Sequence, residues 1–255
     1  MWWPILDDLS GFDGDPRSIS PVYFAWLSLG AAGPSISAAI TVFVFDGPTA
    51  LARLLSRIVL WQVPLGWYAF ALLLVPFSDL VARLLFSWIS PIGIELDFSN
   101  ARTLLLVVPF AFVSGAFAEE LGWRGFFQPT LREDLSLLAT GVVIGVVWAL
   151  WHTPLFFTQV GSFVSGTGPT AQSVLFYLAF SILLSWCMAW QGEYTRQSVF
   201  LAYLFHVSVN LAIGPVLMPP TSPDAQAQLI LLSSAVLFFA FVGVKCFHRK
   251  AAGAA

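Results

Sequence analysis

Leu104-Leu105-Leu106-Val107-Val108-Pro109-Phe110-Ala111-Phe112-Val113 leads into Glu119-Glu120-Leu121-Gly122-Trp123-Arg124. The apolar run reads as the body of a membrane-spanning helix. Two adjacent carboxylates at membrane depth are costly, and by default they mark a functional site. Two of the three histidines sit in similar surroundings, His152 within 142–157 and His206 within 199–213.

Composition supports the same solvent. The chain is 58% hydrophobic and 10% charged over 255 residues, with 24 Phe and 11 Trp. A soluble domain carries about 25% charged residues as a polar skin, and this chain has no such skin. Lipid is therefore its partner. The net charge of −3 provides no basic face for nucleic acid. Cys187 and Cys246 both lie in apolar runs, without metal-type spacing. The N-terminus lacks a basic start and a small-residue cleavage site, so the first span is expected to act as its own insertion signal.

The expected architecture is an all-α, polytopic membrane helix bundle of about 7–8 transmembrane helices. Residues 1–20 read as a polar tail outside the bilayer, and 21–250 as one transmembrane domain. Helices are expected at about 21–45, 61–88, 101–130, 137–158, 172–191, 198–216 and 227–247. Asp79 and Arg83 are spaced to pair on one helix face. Gly125 and Pro129 lead to the expectation that the last turns of the third helix break away or lie in the interface. Trp61, Trp88, Trp123 and Trp190 fall near span ends, where an aromatic belt would place them. Arg53, Arg57, Arg132, Arg196, Lys245, Arg249 and Lys250 lie in connections that alternate to one side. That side is expected to be cytoplasmic, with the N-terminus outside.

Depth brings the polar groups together. Counted from the turn Arg132-Glu133-Asp134, Glu119 is roughly 18 Å in and His152 roughly 22 Å in, at about 1.5 Å per residue. His206 is roughly 15 Å beyond Arg196 by the same rise. Asn210 follows one turn later on the same face. A carboxylate among apolar walls suits a general base. An imidazole can orient a water or bind a metal, and a second imidazole with a carboxamide can donate to an oxyanion. Each residue also has a plainer reading. Glu120–Arg124 is more readily a structural pair, His206–Asn210 an interhelical hydrogen bond, and His152 a satisfied buried histidine. The same residue types also build proton relays, so a proton-linked transporter stands as an alternative.

Three motifs carry a family resemblance. They are Glu119-Glu120-Leu121-Gly122-Trp123-Arg124, Trp148-Ala149-Leu150-Trp151-His152 and His206-Val207-Ser208-Val209-Asn210. In order and spacing they resemble the CPBP family, which groups type II CAAX prenyl endopeptidases with bacteriocin-processing, self-immunity and abortive-infection proteins. Trp148 stands where the family pattern has Phe. The resemblance spans about residues 101–215. It implies a CAAX-protease-like helical fold with a cavity open to the cytoplasmic side. The implied activity is intramembrane cleavage of a membrane-associated, lipidated or unlipidated peptide or protein. It assigns Glu119 and His152 to activating water, and His206 and Asn210 to the oxyanion. Glu120 and Arg124 support them, with Trp148 as an aromatic wall. Phe126, Phe127, Trp151, Phe156 and Phe157 lie near these motifs and read first as packing residues. A metal stays open at this stage: Glu119, His152 and His206 suffice for Zn2+ or another divalent ion, whereas the oxyanion role needs His206 free. Family membership also leaves open a non-catalytic immunity or scaffold factor.

Overall fold

A computed structural model of the chain describes residues 21–89, 116–157, 170–213 and 223–253. All regular elements among them are helical. In chain order they are α1 (Pro21–Asp46), α2 (Pro48–Ser56), a 3-10 turn (Arg57–Val59) and α3 (Leu65–Ile89). Next come α4 (Phe117–Glu120), a π-helical segment (Leu121–Phe127) and α5 (Gln128–Asp134), which run on without a gap. Then follow α6 (Leu137–His152), a second 3-10 turn (Thr153–Phe157), α7 (Ala171–Tyr194), α8 (Val199–Ile213) and α9 (Pro223–Gly253).

The chain is an integral membrane protein. Four stretches are long and apolar enough to cross a bilayer: Ser28–Asp46, Leu65–Trp88, Val174–Tyr194 and Gln228–His248. α6 and α8 are apolar but short, at 16 and 15 residues. At 1.5 Å per residue neither reaches across a hydrocarbon core of about 30 Å. Four full-length spans lie among the described residues, where seven to eight are expected over the whole chain. The N-terminal half of the third expected span, and the 1–20 tail, lie outside them.

Three expectations are corrected. The connection 46–60 holds a helix, α2, whose Gly47–Pro48 start suits a helix N-terminus. The third helix does not break at Gly125. It widens into a π turn and continues; Pro129 lacks the N–H that would bond the Gly125 carbonyl four residues back, and Arg57 Nη1 donates to that carbonyl instead. Trp61 and Trp88 are exposed as belt residues would be, but Trp123 and Trp190 are buried in the bundle.

Lipid is as apolar as the helices, so packing and polar links must join them. Small residues allow close approach. A Cβ on Gly122 would lie 2.4 Å from the Pro34 carbonyl carbon, and one on Gly145 would lie 2.4 Å from Ile182 Cα. These glycines seat the π segment on α1 and α6 on α7. Aromatic rings fill the centre of α3, α7, α8 and α9. Trp67 and Trp190 have centroids 4.9 Å apart, and Phe70 contacts Trp190 at 5.3 Å and Phe205 at 5.8 Å. Polar links complete the joints. Asp79 pairs with Arg83 at 2.6 Å, as the spacing predicts, and accepts from Ser233 on α9 at 3.0 Å. Ser208 Oγ donates to the Ala71 carbonyl at 2.7 Å, and Trp186 Nε1 to the Leu138 carbonyl at 2.9 Å.

The basic connections meet at one end of the bundle. Arg57 Nη1 donates to the Gly125 carbonyl at 2.5 Å, Arg132 pairs with Glu193 at 2.5 Å, and Arg196 Nη2 donates to the Gln62 carbonyl at 2.7 Å. Arg196 and Gln197 both have φ 56°, a left-handed conformation that side chains disfavour. Gln128 Nε2 donates to Gln197 Oε1 at 3.0 Å and Ser198 Oγ to the Leu60 carbonyl at 2.6 Å, so neighbouring elements hold this sharp turn. The turn aims α8, and with it His206, back into the bundle.

Candidate active site

The π segment shapes the acidic side of the site. Such a widened turn occurs often at functional sites. Here it follows directly on Glu119 and Glu120, which form the last turn of α4. Two side chains on the widened turn reach back by four residues. Trp123 Nε1 donates to Glu119 Oε2 at 3.3 Å, and Arg124 Nη1 to Glu120 Oε1 at 3.1 Å.

The two carboxylates have different surroundings. Glu119 Oε2 receives a second indole, Trp148 Nε1, at 2.9 Å. Among the described residues no protein donor engages its other oxygen. Glu120 is 0% exposed. Its Oε1 contacts His206 Nδ1 at 2.6 Å as well as Arg124. Arg124 is also buried; its Nη2 donates to Ser185 Oγ on α7 at 3.4 Å, and its guanidinium lies 4.9 Å from the Trp148 ring centroid. Glu120, Arg124 and His206 thus form one buried ionic unit joined through Glu120 Oε1, with Glu120 Oε2 and Arg124 Nε left without a partner among the described residues, whereas Glu119 Oε2 is held by two neutral indoles.

Trp148 is the hub of the arrangement. Its ring meets His152 at 5.4 Å and His206 at 5.2 Å, both edge-on. His152 ends α6, and its Nδ1 lies 2.8 Å from the Trp148 carbonyl. A carbonyl only accepts, so Nδ1 carries the hydrogen and Nε2 is left as an acceptor. Asn210 follows His206 by one turn on α8 and is half-buried. Among the described residues nothing bonds its carboxamide.

The expected groups are therefore gathered by three separate segments: Glu119 and Glu120 from α4, Trp148 and His152 from α6, and His206 from α8. The pairing is not the expected one throughout. His206 is bonded to Glu120, which makes the supposed support pair part of the imidazole's own setting. Trp148 is a hydrogen-bond donor to Glu119, more than an aromatic wall.

The metal alternative does not fit this arrangement. Among the described residues no three His, Cys, Asp or Glu side chains group as a metal site needs.

Sequence reasoning missed Trp123, Tyr177 and Ser185. Trp123 carried a signal, since it stands four residues after Glu119 just as Arg124 does after Glu120. Tyr177 packs against His152 at 5.7 Å and against Phe156 at 5.2 Å, a contact that only the pairing of α7 with α6 creates. Phe127 and Trp151 pack on Trp123 at 6.2 and 6.3 Å, in the packing role first read for them.

Residues 101–212 match the family described as type II CAAX prenyl endopeptidase Rce1-like. The chain is 31% identical over 145 residues to a protein named CAAX prenyl protease 2 from Methanococcus maripaludis. The aligned part covers 55% of this chain and 48% of that relative, so the chain matches about half of the relative's length.

Proposed function

We propose, from the chain's membership of the CAAX-type (CPBP) family of intramembrane proteases, that it hydrolyses a peptide bond in a membrane-associated substrate. The relative's name points to a prenylated CAAX protein, in which an isoprenoid-bearing cysteine precedes the bond to be cut. The observation that carries the reading is the convergence on one indole: Trp148 bonds Glu119 and packs against both imidazoles.

Each group then has a role. The free oxygen of Glu119 takes a proton from water, and Nε2 of His152 accepts the second hydrogen and aligns the lone pair. The water oxygen bonds to the carbonyl carbon. The negative charge that develops on the carbonyl oxygen meets His206 and the Asn210 carboxamide. Glu120 holds His206 by Nδ1 and balances the charge the ring carries as a donor. Arg124 in turn neutralises Glu120. When the C–N bond breaks, Glu119 returns its proton to the leaving amine. The acid is regenerated as a base, and atoms and charge balance.

In this reading the end bearing Arg53, Arg132 and Arg196 faces the cytoplasm, by the positive-inside rule, and substrate enters from that side. The test uses the full chain in proteoliposomes with a farnesylated CAAX peptide. Glu119→Gln and His152→Ala should each lower cleavage about 10²–10⁴-fold, the usual reach of general-base catalysis. Wild-type cleavage by both would end the proposal, and flux driven by a pH gradient without cleavage would favour a proton relay instead.

A further inference from the structure

α7 carries a polar line that the mechanism above does not use. Tyr177, Ser181 and Ser185 are spaced by four, so they share one helix face. The antiparallel packing of α7 on α6 fixes where that face points. Gly141 lies against Trp186, Gly145 against Ile182, and His152 against Tyr177. By that register Ser181 lies level with Trp148. The residues on either side of it already touch the site: Tyr177 packs on His152, and Ser185 accepts from Arg124.

Ser181 is 1% exposed, yet its hydroxyl has no hydrogen-bond partner among the described residues. An unsatisfied buried hydroxyl costs about 1–3 kcal/mol, so such groups normally hold a water or a ligand atom. The Tyr177 hydroxyl, one turn earlier on the same face, comes alongside it. The two hydroxyls therefore stand on the α7 face that meets His152 and lies level with Trp148, the residue that holds Glu119, and an ordered buried water takes about two to four polar partners.

We propose that α7 forms the fourth wall of the site, with the hydroxyls of Tyr177 and Ser181 holding the attacking water against Glu119. The Tyr177 ring also fixes the plane of His152. This rests on the hydrolytic reading.

Wild type, Tyr177→Phe, Ser181→Ala, the double variant and Glu119→Gln are compared as full chains in proteoliposomes with the farnesylated peptide. Each hydroxyl deletion is expected to lower kcat about tenfold, the effect of about 1.4 kcal/mol. KM and Tm stay unchanged, and the double variant loses far less than the product of the singles. Wild-type kcat in both single variants, with Glu119→Gln inactive, overturns the α7 role alone. So does a KM rise at constant kcat, or a kcat loss that follows Tm. Wild-type cleavage by Glu119→Gln overturns the hydrolytic reading instead. An experimental structure decides independently of turnover: an ordered water bonded to Ser181 Oγ and Tyr177 Oη supports the proposal, and a dry contact there overturns it.

Discussion

Glu119 and Glu120 are neighbours, yet the same change to glutamine should affect them oppositely. In Glu119→Gln the new amide oxygen can still accept from Trp148 at 2.9 Å and Trp123 at 3.3 Å. Volume is conserved and both indoles stay paired, so stability should move by less than about 1 kcal/mol. Activity is lost because an amide is not a base. In Glu120→Gln the anion between Arg124 at 3.1 Å and His206 at 2.6 Å disappears. Arg124 is 2% exposed and cannot shed its proton. Removing one partner of a buried pair costs about 3–5 kcal/mol. Ser185 and the Trp148 ring still face the guanidinium, which favours the lower figure. At about 2–4 °C per kcal/mol for a chain of this size, a loss near 3 kcal/mol lowers Tm by roughly 6–12 °C. Thermal unfolding in detergent, followed by the fluorescence of the 11 tryptophans, measures it. A Glu120→Gln protein that melts with the wild type, or a Glu119→Gln protein that melts below Glu120→Gln, would refute the division of roles.

Trp148→Phe keeps a ring beside both imidazoles but deletes the donor to Glu119. With Trp123 still bonded, kcat should fall about ten- to a hundredfold, in line with the roughly 1.5–3 kcal/mol of a hydrogen bond to a charged group, at nearly unchanged Tm. Unaltered kcat would show that the indole N–H is dispensable. Gly122→Ala places a Cβ 2.4 Å from backbone in α1, which cannot swing aside. Overpacking should cost about 1–3 kcal/mol in Tm and lower cleavage by moving the π segment; an unshifted Tm would mean that α1 is not seated there. Asp79→Ala strips Arg83 of its carboxylate and Ser233 of its acceptor. It should cost about 3–5 kcal/mol of stability while kcat per folded molecule stays at the wild-type value; a selective kcat loss would instead tie this pair to the site.

Much of the site could be read from spacing because spacing of three or four residues is itself helix geometry. Glu120–Arg124 and Asp79–Arg83 were legible in this way. Composition alone placed the chain in lipid, where any buried acid or imidazole stands out. Other features depended on the packing of distant segments. Trp123 near a helix end has the sequence look of a belt residue. It is buried because α6, bearing Trp151, packs against it.

The residues themselves thus determined the solvent, the helical class and the candidate groups for chemistry. They did not determine direction. Adjacent residues on a helix point about 100° apart, so Glu119 and Glu120 had to face different neighbours, and no local pattern says which. The π turn and the approach of α6 and α8 made that choice. They gave Glu119 two indole donors with one oxygen spare, and they closed Glu120 onto a histidine 86 positions away. Rise and period are properties of the local backbone, whereas facing is settled only when whole helices dock.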